Sequence, residues 1–242
     1  METARLLAAA DGPLKINWAE MPTYNTIMAV AAGAGLLLVV GLGRRLAGRG
    51  TVLHPEGWAL AFGVLGLILT LTGLHMTLTW PLAAGGFPFD NIIFGEPSLA
   101  FGVLMLAAAL FLWRRGTILE EHPDRPGYVA GIAGPVSIFI VGMGLACFGI
   151  AAAGIWYELF AAPEQEPISG LLADHPMIEA TFISVLYALV GVGAVLFPAA
   201  LGAPRGPLGR VVGFCWALAG LLFLIFGALN YFTHIGLIVN TM

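Results

Sequence analysis

The residues with chemistry to offer in this chain are histidines and carboxylates set inside or at the ends of apolar runs. They are His75, Asp90, Glu96, Glu158, Asp174, His175, Glu179 and His234. Ionisable groups in a membrane are costly, so a cluster of them points to a site that binds a metal or moves protons. Imidazole with carboxylate suits copper, iron, zinc or manganese, whereas calcium and magnesium want mostly oxygen donors. The expected ligand set is His75, Glu96, His175, Glu179 and His234, drawn from several apolar segments. Bundle metal sites recruit Glu and His from facing helices in this way. Glu158, Asp174, Asn230, Tyr157, Thr72 and Thr79 stand where they would hydrogen-bond those ligands. His175 and Glu179 lie one helical turn apart, as do Asn230 and His234. The chain has no HExxH and no paired ExxH, and no residue is assigned a catalytic role. Plainer readings stand beside each. Glu96 and Asp174 suit helix starts as anions, and Glu158 and His234 suit the membrane interface. Asp90, Glu164 and Glu166 are expected to be solvated loop charges.

The elements that position these groups are helices in a bilayer. Of 242 residues, 59% are hydrophobic and only 10% charged, with a mean hydropathy of +0.93. A soluble domain carries about a quarter charged residues. A bilayer core is crossed by about 20 apolar residues in a helix. Six segments meet this: Tyr24–Leu42, Gly57–Leu82, Pro97–Trp113, Tyr128–Ala161, Pro176–Leu201 and Pro207–Ile235. The expected fold is all-α, an integral membrane bundle of six transmembrane helices. It forms a single domain over residues 1–242, with residues 1–23 as an N-terminal segment. No alternating pattern suggests a barrel. Frequent glycines, among them Gly63, Gly66, Gly142, Gly144, Gly191 and Gly193, suit closely packed helices.

Charge sets the expected orientation. Arg44, Arg45, Arg49, Arg114, Arg115, Arg125, Arg205 and Arg210 fall in three loops on one side, against Arg5 and Lys15 on the other. The positive-inside rule makes the arginine side cytoplasmic and puts both termini outside. Trp18, Trp80 and Trp156 then fall at the outer interface, and Trp58, Trp113 and Trp216 at the inner one. The polar cluster would lie near the extracytoplasmic face of a bacterial cytoplasmic membrane. His54 and His122, each before a proline, read as cytoplasmic loop residues or helix caps. Cys147 and Cys215 lie in apolar runs, read as small buried residues, and form no CxxC motif. Met76 and Met177 read as packing.

Nucleotide chemistry has no P-loop or strand-linked GxGxxG to rest on. The acidic balance and the lack of a basic patch exclude nucleic acid as a partner. Ser98 and Ser184 have no histidine partner on their own helices for nucleophilic catalysis.

The stretches Gly73-Leu74-His75-Met76-Thr77-Leu78-Thr79-Trp80-Pro81-Leu82 and Asn91-Ile92-Ile93-Phe94-Gly95-Glu96-Pro97-Ser98 carry a resemblance. The chain resembles an uncharacterised family of bacterial and archaeal membrane proteins, domain of unknown function 981, from the first helix to the sixth. The resemblance implies a multi-spanning membrane protein and supplies no activity, cofactor or catalytic residue.

The functional expectation is therefore a metalloprotein. With copper or iron it would be an oxidoreductase acting on an apolar or lipid-like small molecule; with zinc, a hydrolase. One alternative is a haem-binding electron-transfer protein, with His75 and either His175 or His234 as axial ligands. The others are a proton-coupled transporter and a structural subunit of a membrane complex. The expected partners are the lipid bilayer and further copies of the chain or other subunits.

Overall fold

A computed structural model describes residues 16–48, 52–83 and 86–242. Arg5, Lys15 and Arg49 lie outside them. Seven α-helices are present among the described residues: α1 (Asn25–Leu46), α2 (Pro55–Leu78), α3 (Glu96–Glu121), α4 (Arg125–Ala133), α5 (Ser137–Trp156), α6 (Pro176–Ala200) and α7 (Pro207–Thr241). All but α4 are long and apolar enough to cross a bilayer. Large apolar side chains point away from the bundle, Leu60, Leu78, Ile138 and Val239 among them. In water such a surface would aggregate; against lipid tails it costs nothing.

Sequence expectations differ from this structure at several places. The expected fourth helix, Tyr128–Ala161, is two helices. The break falls at Gly134-Pro135, where proline lacks the N–H that a continuous helix needs. The third helix continues past Trp113 to Glu121, carrying Arg114 and Arg115 as exposed residues of its last turns rather than of a loop. The last helix runs beyond Ile235 to Thr241. Trp216, expected at an interface, is buried, and its indole N–H donates to the Val190 carbonyl at 3.2 Å.

The six long helices close into a ring in the order α3, α2, α1, α7, α6, α5, with only a slight contact between α3 and α5 at the seam. Small residues allow the tight pairs. A methyl group added at Gly66 of α2 would stand 2.9 Å from the Leu106 backbone nitrogen of α3. One at Gly33 of α1 would stand 2.5 Å from that of Leu224 on α7. Backbones this close gain dispersion contacts that replace the hydrophobic drive missing between helices in lipid.

Between α2 and α3 the chain turns through a five-residue π-helix, Asn91–Gly95, that runs directly into α3. Asn91 latches this turn. Its amide N–H donates to the Met76 carbonyl near the end of α2, and its carbonyl accepts from the Ala83 N–H at 3.3 Å. The Tyr187 hydroxyl of α6 donates to the Ile93 carbonyl at 2.5 Å, tying the turn across the ring. Wide π turns are frequent at functional sites, and this one sets Asp90 at the mouth of the bundle.

Candidate functional site

An apolar cavity and a polar one lie within the ring. The larger, about 260 Å³, is an apolar lumen lined by α1, α3, α5, α6 and α7, with Phe62 from α2. Along α3 it extends from Pro97 to Ala108, roughly 16 Å at the rise of an α-helix. The smaller, about 140 Å³, is a polar chamber at the end of the bundle where α1 begins and α7 ends. Asn25, Phe94, Ile183, Phe226 and Asn230 line both, so the chamber adjoins the lumen.

The chamber gathers Asp90, Glu166, Glu179, His234 and Asn230. Asp90 is 6% exposed, with no hydrogen bond or ion pair to its carboxylate among the described residues. Burial away from water disfavours the charged form and pushes its pKa up to about 7. Glu179, in the first turn of α6, accepts the Ala162 N–H at 2.9 Å and holds the connection after α5 over the chamber. Glu166, on that same connection, faces His234 of α7, Oε1 to Nε2 at 3.8 Å. Asn230, one turn before His234, is 8% exposed, and its amide has no protein partner among the described residues. The segment before α1 covers one side: the Trp18 indole N–H donates to the Thr241 hydroxyl at 3.1 Å.

The predicted ligands therefore separate. Glu179 and His234 line the chamber together. His75, Glu96 and His175 are exposed and lie outside it. His75 points from α2 toward α1, where its Nδ1 meets the Tyr24 hydroxyl at 2.7 Å. Among the described residues, no three His, Cys, Asp or Glu side chains are grouped to hold one ion. Of the residues expected to support the ligands, Asn230 reaches the chamber, while Tyr157, Glu158 and Asp174 are exposed. Thr72 and Thr79 donate to carbonyls of their own helix, Ile68 at 2.7 Å and His75 at 2.5 Å.

Asp90 and Glu166, expected in solvent, are enclosed instead. For Asp90 the signal was in the neighbouring residues, Phe87-Pro88-Phe89-Asp90-Asn91, whose aromatic company is poor for a solvated loop. Glu166 follows Glu164 and Gln165 and carried no such signal.

A family model covers residues 21–236 of this chain, from just before α1 to near the end of α7. The chain belongs to DUF981, a family of proteins of unknown function. Asp90, Glu166, Glu179, Asn230 and His234 of this DUF981 protein, and the whole lumen, lie within the matched range. No solved structure matches the chain.

Proposed function

We propose that this DUF981 protein takes an apolar or lipid-like small molecule from the bilayer and acts on it at the chamber. The observation that carries this reading is an apolar lumen adjoining a chamber that holds three carboxylates and an imidazole. Ligand sites are mostly apolar cavities of roughly 300–1,000 Å³ with a few convergent polar groups. The two adjoining cavities together are of that order and of that composition. Helix pairs that need only to pack would close such a space, because a void forfeits dispersion contacts. Carboxylate and imidazole together can take and return a proton on a bound molecule. Under the positive-inside rule, the arginines at the other end of the bundle support an extracytoplasmic chamber.

A transition metal at the chamber is a second reading, and the His234–Glu166 pair favours it. With ligand bonds of about 2.0–2.2 Å, one ion reaches two donors that stand 3.8 Å apart. Glu179 is the further donor in the same chamber. Copper or iron there would supply oxidation chemistry, and zinc a nucleophilic water. In this reading His75, Glu96 and His175 are not ligands.

Both readings are tested on protein purified in mild detergent. Solvent extraction followed by mass spectrometry should recover an apolar molecule at near-equimolar amount. Filling the lumen by Ala32→Phe should remove it. Elemental analysis of the same samples should show a metal that His234→Ala loses and His75→Ala keeps, if the second reading holds. An extract indistinguishable between wild type and the filled variant sinks the first reading. Equal metal content in both histidine variants sinks the second.

A further inference from the structure

The chamber is rich in carboxylates, and one of them, Asp90, is buried with no internal partner among the described residues. Asp90, Glu166 and Glu179 line it together with one imidazole, and no Lys or Arg lines either cavity among the described residues. A buried carboxylate without a partner is expensive, and removing the expense takes a cation or a proton. Asn230 adds an independent observation. Its amide is 8% exposed at the junction of chamber and lumen, and the protein offers it no hydrogen bond among the described residues. Asn25, also at the junction, has a buried side-chain oxygen with no partner.

The walls discriminate among cations. Trp18, Phe87, Phe89, Phe94, Phe160 and Phe226 line the same chamber. Aromatic faces carry negative potential and attract ammonium groups, most strongly where water is excluded. A small hydrated metal ion makes no use of such walls. The lumen then continues away from the carboxylates for roughly 16 Å along α3, lined almost wholly by apolar side chains. An anionic head would meet three carboxylates; a neutral one would use neither their charge nor the aromatic faces.

We infer that the ligand is a cationic amphiphile: an ammonium head between Asp90, Glu166, Glu179 and the aromatic walls, with its alkyl chain in the lumen. This inference rests on the lipid-like reading above and narrows it to one charge class. Asp90 supplies the central counter-charge, because Glu179 is engaged by the Ala162 N–H and Glu166 stands beside His234. Asn230 hydrogen-bonds a polar atom next to the head.

The experiment measures equilibrium binding of radiolabelled dodecyltrimethylammonium to the full chain in nanodiscs, with empty nanodiscs subtracting lipid partitioning. Dodecanol and tetramethylammonium serve as competitors. The expected result is saturable binding, with each competitor weaker by at least about tenfold, because chain and charge both contribute. Asp90→Asn should lower ammonium affinity at least about tenfold and leave labelled dodecanol binding unchanged, since only the charge is removed. Glu179→Gln keeps an acceptor for Ala162 and should give a smaller loss in the same direction. Equal affinity for dodecanol and the ammonium overturns the inference while leaving the lipid-like reading standing. Saturable binding of neither chain overturns both. Unchanged ammonium affinity in Asp90→Asn, with dodecanol binding intact, overturns the assignment of the head group.

Discussion

The two ends of this bundle use the same kinds of residue for different ends. At the arginine end, polar side chains finish helices. Glu120 accepts the Leu53 N–H at 2.9 Å, and its backbone carbonyl accepts from the Arg125 guanidinium. Asp124 caps α4 by accepting the Gly127 N–H at 3.0 Å. His122 bonds the backbone of Asp124 and stacks on Tyr128. At the chamber end, Asp90 and Asn230 are more deeply buried and satisfy nothing in the protein. A buried polar group without a protein partner calls for an explanation, such as water or a ligand. The contrast separates candidate function from capping more sharply than residue type does.

The contrast can be broken by substitution. The largest effect is expected at Asn91, the partnered residue beside the chamber. Asn91→Ala leaves the Met76 carbonyl and the Ala83 N–H without their partner. Each unsatisfied buried group costs about 1–3 kcal/mol. Thermal unfolding in detergent should show a fall in Tm of several degrees and loss of any chamber ligand. An unchanged Tm would mean that the latch does not position the π turn.

The next effect concerns pH. Asp90 has a raised pKa in the folded protein, about 7 against the ordinary 3.8. Between those values the folded state holds a proton that the unfolded state has lost. Ligand-free protein should therefore lose stability as pH rises from about 4 to about 7, and the loss is complete above that. Glu166, Glu179 and His234 are the other titratable groups lining the chamber; the shift at Asp90 comes from its removal from water. Asp90→Asn should flatten the slope and be the more stable protein at pH 8, by up to a few kcal/mol. The check is Tm against pH for both proteins in the same detergent; parallel curves would show that Asp90 does not titrate in this range.

The smallest effect is expected at the arginine end. Glu120→Ala removes a partly buried cap from the Leu53 N–H and should cost about 1 kcal/mol, with no change in ligand binding. Chamber ligand lost in Glu120→Ala would dissolve the distinction between the two ends.

Much of the fold was legible in the sequence because lipid imposes a simple rule. A chain that crosses a bilayer must satisfy its backbone within the segment, so length and hydropathy suffice to count six spans. The proline break at Gly134-Pro135 was written in the sequence but masked by apolar residues on both sides. The end of the bundle that gathers Glu179, His234 and Asn230 was also legible, from the alternation of helix directions.

The sequence by itself determined which residues share an end of the bundle; only the tertiary structure decided which of them share a chamber. The reason is rotational. Hydropathy fixes how deep a residue sits along its helix, but in lipid all faces are nearly as apolar, so pattern does not reveal which face turns inward. The contacts of Gly33 and Gly66 set those rotations, and they turn His75 toward Tyr24 at the rim. His234 turns toward Glu166 instead. The π turn and its Asn91 latch bring in Asp90, a loop residue whose burial depends on contacts with segments far away in sequence.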